Sequence, residues 1–245
     1  MLNNSVHFVL QGKGGVGKSL VASLVAQYFL GKQAGSVISV DTDPVNATFS
    51  KYESLKVAHV DIADGTRINE RKFDEIIERM ASHEGVFVVD NGAATFLPLT
   101  SYMSENSVFE VLAGTGKAVY VHSIITAGQG LEDTVNGFNQ LATRVDDHAK
   151  IVLWLNEFWG KVEVDGHPFT ATKVFKAASP KVAGVVKIEQ RNPDTFGADV
   201  RAMTEKHQTF NDIQVGSDFG MMAKQRLKRV MGDVFTELDQ VKWGD

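Results

Sequence analysis

The sequence predicts an α/β fold built on a single open, mostly parallel, twisted sheet with helices on both faces. Three observations carry this expectation. Short apolar, β-branched runs recur along the chain, amphipathic stretches of helical length separate them, and the runs are apolar along their whole length. A strand without an outward polar set must be covered on both faces, as strands of parallel sheets are. The intervening amphipathic segments supply the cover.

The elements follow in order. Strands are expected at Val6–Leu10, Ser36–Val40, Val57–Asp61, Val86–Asp90, Ala118–Ser123, Ile151–Leu155 and Val182–Ile188. Leu20, Leu24, Ala26 and Tyr28 mark a first helix, which Gly31 can terminate. Phe73, Ile76, Ile77 and Met80 fit the i, i+3, i+4, i+7 stripe of a second, and Leu131, Val135, Phe138 and Leu141 suggest a third. The stretch Phe158–Ser179 is less regular and reads as an excursion from the sheet. Near the C-terminus, Leu227, Val230, Met231, Val234, Phe235 and Leu238 form a helical stripe beside Lys224, Arg226, Lys228 and Arg229. The expectation is a final helix packed on the sheet with a solvated basic face; a membrane-surface helix is the alternative. No repeat, low-complexity tract or linker interrupts the series, so residues 1–245 are read as one domain.

Composition narrows the function classes. Lys and Arg number 25 against 30 Asp and Glu, giving a formal charge of −5. This disfavours a protein that coats nucleic acid broadly. There is no cysteine. Disulfides, thiolate nucleophiles, thiolate zinc sites and cysteine-held iron–sulfur clusters are therefore excluded within this chain. No run approaches the ~20 apolar residues of a membrane span, and Met1–Leu10 lacks the pattern of a signal peptide, so a cytoplasmic protein is expected.

The strongest chemical signal is Gly12-Lys13-Gly14-Gly15-Val16-Gly17-Lys18-Ser19, which fits G-x-x-x-x-G-K-[ST] between an expected strand and an expected helix. Glycines let backbone N–H groups turn inward around an anion, and the following helix adds the positive end of its dipole. Lys18 can reach the β- and γ-phosphates and the Ser19 hydroxyl can hold Mg²⁺. The expected nucleotide contacts are this whole loop and the next residue, Leu20.

Carboxylates close two later strands. The second ends in Asp41-Thr42-Asp43-Pro44, suited to a polar site at the C-terminal edge of a sheet. Val86–Asp90 ends in a carboxylate that can hold Mg²⁺ through water, followed by Asn91-Gly92-Ala93-Ala94. Gly92 has no side chain, so its N–H can approach a γ-phosphate. No glutamate follows Asp90, so a strong general base is not evident. Ile151–Leu155 runs into Asn156, then Glu157-Phe158-Trp159-Gly160, unusually aromatic for a loop and able to wall a base pocket or meet a partner. Gly114-Thr115-Gly116-Lys117 lacks a first glycine at phosphate-loop spacing and reads as a turn. The seven histidines show no metal-ligand spacing and are expected in core or surface roles.

The early lysine, Lys13, makes the loop resemble the deviant Walker A motif of the MinD/ParA class of P-loop ATPases. The chain as a whole resembles the TraL family of conjugal-transfer proteins, plasmid-encoded relatives of that class. The segments Val9 to Ser19, Asp41 to Phe49, Asp90 to Ala93 and Trp154 to Gly160 carry the match, with Arg226-Leu227-Lys228 softer. The resemblance implies a MinD/ParA-like fold, ATP and Mg²⁺ as cofactors, and a nucleotide-dependent homodimer. It implies that Lys13 acts on phosphates bound by the other subunit and that Asp43 orients the attacking water. Asp41 would lie near the magnesium shell, Asp90 would hold the metal with Ser19, and Asn156 would read the adenine edge. Val45 and Asn46 depart from the partitioning proteins, which usually place Gln after the proline. The implied function is a slow, partner-stimulated ATPase switch in conjugative transfer of a bacterial plasmid, with a conjugation-machinery protein as partner. The alternatives are a partitioning-type protein that binds DNA or cargo in its ATP state, and a metabolic enzyme of the same fold.

Overall fold

The computed structural model describes residues 3–64 and 67–244. Within them seven strands form one sheet: β1 (Ser5–Val9), β2 (Val37–Asp41), β3 (Ala58–His59), β4 (Val86–Asp90), β5 (Ala118–Thr126), β6 (Ala149–Asn156) and β7 (Val182–Ile188). Their spatial order is β7-β6-β5-β1-β4-β2-β3, and every neighbouring pair is parallel. The chain starts in the middle at β1, builds outward on one side, returns to β4, then crosses to β5 and builds the other side. The C-terminal ends of β1 and β4 thus open at the place where strand order reverses, where open α/β sheets bind ligands.

Both sheet faces are covered. Helix α1 (Lys18–Gly31) lies on one, over Val9, Val86, Val88, Val152 and Trp154. The other carries α2 (Glu70–Ser82), α3 (Phe96–Glu105), α4 (Val108–Gly114) and α5 (Leu131–Arg144), over Phe8, Phe87, Val89, Val121 and Leu153. Successive residues of β4 enter different cores, Val86 and Val88 one, Phe87 and Val89 the other. That two-sided burial explains strands apolar throughout. Phe73, Ile76, Ile77 and Met80 are the buried face of α2, whose first turn Asn69 caps by accepting from Lys72 N–H.

Several boundaries differ from expectation. The 57–61 run yields only the two-residue β3, a short edge strand. Gly31 is the last residue of α1 rather than its stop; the left-handed residue that follows is Gln33, at φ +53°. β5 runs past Ser123 to Thr126, which brings its end to the phosphate loop. Residues 158–179 leave the sheet as a small antiparallel pair (Glu163–Val164 with His167–Pro168) and α6 (Lys173–Ala178).

Beyond β7 come α7 (Ala198–Glu205), α8 (Phe210–Val215) and α9 (Met221–Leu238). Leu227, Met231, Val234 and Leu238 of α9 are buried, so its apolar stripe is used inside the protein. The basic cluster is partly used as well: Lys224 donates to the carbonyls of Gln214 and Gly216, and Arg226 pairs with Asp199 at 2.6 Å. This leaves Lys228 and Arg229 exposed, a weak basis for binding DNA or a membrane surface. Among the described residues, no helix is long and apolar enough to cross a membrane.

Candidate phosphate-binding site

The loop between β1 and α1 is held in a shape that glycine alone adopts easily. Gly15 and Gly17 have φ of +74° and +99°, the left-handed region where a Cβ is strained. A Cβ placed on Gly14 or Gly15 would meet nothing within 4 Å, so the outer side of the loop is open. Helix α1 begins at Lys18 and no side chain caps its N-terminus. Its first N–H groups and positive dipole end are left facing the loop.

Two charged side chains converge beneath it. Lys18 is buried, and its Nζ donates to the Lys13 carbonyl at 3.2 Å. Burial lowers the ammonium pKa, while Asp90 and Asp43 oppose that shift. Asp90 is only 2% exposed. Its Oδ2 accepts the Ser19 hydroxyl at 2.6 Å, and its Oδ1 has no hydrogen-bond partner. Burial pushes its carboxyl up to about 7; Asp41 and Asp43 add to the rise, and Ser19 and Lys18 oppose it. A buried carboxylate oxygen without a donor, next to a serine hydroxyl, supplies the hard oxygen ligands that magnesium takes.

Asp43 and Gly92 meet over this centre. A Cβ on Gly92 would come within 2.8 Å of Asp43 Oδ1, so glycine is needed for the approach. Asp43 Oδ1 in turn accepts from the N–H groups of Val45 and Asn46, at 2.9 and 3.2 Å. Asp41 lies close enough to Asp90 to raise that carboxyl, and its own oxygens are held by the loop. Its Oδ1 accepts from Asp43 N–H, and its Oδ2 from the Ser50 N–H and hydroxyl. It anchors the loop that carries Asp43. Thr42 fixes that loop to β4 by donating to the Asp90 carbonyl and to Asn91 Oδ1.

Asn156 borders the opposite side of the loop. Its Nδ2 donates to the Val16 carbonyl at 3.0 Å and its Oδ1 accepts from Phe158 N–H at 3.2 Å. The amide therefore locks loop to strand, leaving one N–H and one lone pair for a base. Beside it opens a cleft of about 160 Å³ lined by Gly17, Leu20, Asn156, Trp159 and Arg201. Trp159 is 64% exposed, and the Arg201 guanidinium lies 5.7 Å from its ring centroid and 6.0 Å from that of Phe158. Flat aromatic and guanidinium surfaces beside a phosphate loop suit a nucleotide base.

The structure thus brings Lys18, Ser19, Asp43, Asp90 and Gly92 together beside the loop, while Leu20 and Asn156 line the cleft next to it. The Lys13 side chain pairs at 2.8 Å with Asp133 in the first turn of α5, both side chains about half exposed. Gly12 N–H is already engaged by Gln11 Oε1 at 2.8 Å. Sequence reasoning missed Asp133 and Arg201, which lie far along the chain and carry no local motif. Gln11 gave a signal, as a polar residue closing an apolar strand run.

No family model matches the chain. It is 42% identical over 234 residues to a Protein TraL of Escherichia coli, covering 96% of this chain and 97% of that protein. A second Protein TraL of Escherichia coli is 40% identical with the same coverage. Among solved structures, it resembles a chain of the MinC:MinD cell division protein complex of Aquifex aeolicus, with TM-score 0.51, 12% identity and 96% of each chain covered. It also resembles a ParA family ATPase of Chlorobium tepidum, with TM-score 0.50 and 14% identity, covering 97% of this chain and 100% of that one. The two structures share the fold, and identity above 40% with nearly complete coverage decides the family: the chain belongs to the TraL family.

Proposed function

We propose that the protein binds ATP with Mg²⁺ at the Gly12–Ser19 loop and hydrolyses it slowly. The bound state acts as a dimerisation and partner-binding switch in the conjugative transfer of a bacterial plasmid, working in the cytoplasm. The observation that carries the reading is the unpartnered Asp90 Oδ1 beside Ser19 and Lys18, under a loop open to an anion. Ser19 and Asp90 would hold magnesium, which neutralises phosphate charge when bound. Lys18 exchanges its bond to the Lys13 carbonyl for phosphate oxygens. Gly14, Gly15 and Gly17 let the backbone close on the phosphates, and Leu20 and Asn156 border the base cleft. Asp43, braced by two backbone N–H groups and packed on Gly92, orients the attacking water. With no stronger base nearby, turnover is slow and open to stimulation by a conjugation-machinery partner.

Lys13 supplies the switch. At the rim of the loop and held only by a half-exposed pair with Asp133, it is released at small cost, since such pairs contribute about 0–1 kcal/mol. It then serves phosphates on a second copy. Light scattering should show a larger species with a non-hydrolysable ATP analogue and magnesium, and Lys13→Ala should abolish the increase without abolishing nucleotide binding. A size indifferent to nucleotide would overturn the switch.

A further inference from the structure

Gln11 sits between β1 and the phosphate loop and is 1% exposed. Its carboxamide makes three hydrogen bonds to three segments. Oε1 accepts from Gly12 N–H at 2.8 Å; Nε2 donates to the Ile124 carbonyl of β5 at 2.8 Å and to the Thr134 carbonyl of α5 at 3.2 Å. One donor and two acceptors surround it, and a carboxamide in this orientation satisfies all three. A carboxylate would face two carbonyls without a proton to offer, and a thioether would offer nothing to the Gly12 N–H or to the Ile124 carbonyl.

The opposite wall of this pocket is Gly137, in the interior of α5. Glycine there costs about 1 kcal/mol relative to alanine. A Cβ at 137 would overlap Gln11 Oε1 and lie 3.0 Å from Cδ and 3.2 Å from Nε2. The overlap is with the tip of a side chain, but this tip cannot withdraw without breaking three buried hydrogen bonds. On its other side Gly12 is bounded by Phe96 of α3, whose Cδ1 would lie 2.9 Å from a Cβ on Gly12. The first glycine of the loop is thus fixed between a hydrogen bond and an aromatic ring.

We propose that Gln11 is a positioning residue for the phosphate loop and that Gly137 is the space its amide requires. Together they set the start of the loop and tie it to α5, the helix that carries Asp133, the partner of Lys13. The proposal rests on the nucleotide-binding reading above.

The test is a cycle of four proteins: wild type, Gly137→Ala, Gln11→Ala and the double variant. Each is measured for Kd of a fluorescent ATP analogue with magnesium and for Tm. Gly137→Ala and Gln11→Ala should each weaken binding about tenfold, the scale of one to two lost hydrogen bonds. In the Gln11→Ala background, Gly137→Ala should leave affinity unchanged and raise Tm, as alanine does in an open helix interior. Equal weakening in both backgrounds, or wild-type affinity for Gly137→Ala, overturns the proposal. If Gly137→Ala does not fold, the double variant must; its failure to fold also overturns it. Absence of binding by the wild type overturns the nucleotide reading and this proposal with it, whereas binding equal in all four overturns this proposal alone.

Discussion

Two groups of polar side chains are buried against the central strands, and they differ in whether their hydrogen bonding is complete. On the α1 face, the Trp154 indole N–H donates to His122 Nδ1 at 2.9 Å, and His122 Nε2 meets His7 Nδ1 at 3.0 Å. His7 Nε2 meets the Ser5 hydroxyl at 2.9 Å. An indole can only donate, so His122 carries its proton on Nε2 and passes a hydrogen bond to His7, which carries its own on Nε2 and passes one to Ser5. The chain runs in one direction, with both rings neutral. Burial holds His7 well below its ordinary range and lowers His122 to about 3. At the sheet edge, Asp90 is equally buried but keeps an oxygen with no donor. The first group is closed and structural. The second is incomplete, and in the function proposed above a magnesium ion would complete it. Buried polarity alone does not mark a functional site; unsatisfied polarity at an open edge does.

This contrast can be broken at its closed end first. His122→Phe leaves the Trp154 N–H and His7 Nδ1 without partners and should lower stability by about 3 kcal/mol, at roughly 1–3 kcal/mol per stranded group. Urea denaturation reads the loss, while nucleotide affinity of the folded protein should stay unchanged. A comparable loss of affinity would show that the two groups are not separate.

Acid titration comes next. Both histidine pKa values are lower folded than unfolded; for His122 the unfolded chain binds the extra proton between about 6.5 and about 3, and His7 acts in the same direction. Stability is present above about 6.5 and falls with pH, by about 1.4 kcal/mol per pH unit for His122 within that window. Asp90 runs the other way: raised to about 7, it takes up a proton in the folded state first. Without ligand it therefore adds stability as pH falls from about 7 to about 4. Denaturation across this range should show a steeper acid loss in Asp90→Asn and a shallower one in His122→Phe. Parallel slopes in both variants would contradict the assignment.

The smallest effect is at neutral pH. Asp90→Asn removes an incompletely paired buried charge and should raise stability by about 1 kcal/mol while abolishing magnesium-dependent nucleotide binding, a trade between stability and function. A loss of stability in the absence of ligand would mean that the Asp90 carboxylate is part of the framework.

The candidate site was legible in unequal parts. The Gly12–Ser19 loop was readable because its function depends on backbone shape, and glycines at fixed spacing write that shape into local sequence. Asp90 and Asn156 were readable because each closes a strand, and Asp43 because it follows the end of β2 by two residues; parallel strands bring their C-terminal ends to one edge. What those side chains touch was not readable. Asp41 is expected near the magnesium shell; it lies close enough to Asp90 to raise that carboxyl, and it also holds its own loop through Ser50. Asn156 was given to the base and also clasps Val16. The cationic C-terminal cluster looked like a surface, yet Lys224 and Arg226 hold Gln214, Gly216 and Asp199. Each partner is chosen by packing distance, which a single sequence does not record.

Strand–helix alternation and doubly apolar strands determined the α/β class, because burial on both faces leaves a mark on every residue of a strand. The phosphate loop was likewise determined locally. Only the tertiary structure decided that Lys13 rests on Asp133, that Arg201 lies over Trp159, and that a glycine in α5 makes room for Gln11. The last pair is separated by 126 positions in sequence, 137 less 11. Contacts at such separations arise from how layers stack, and they fix the surroundings in which a locally written motif can act.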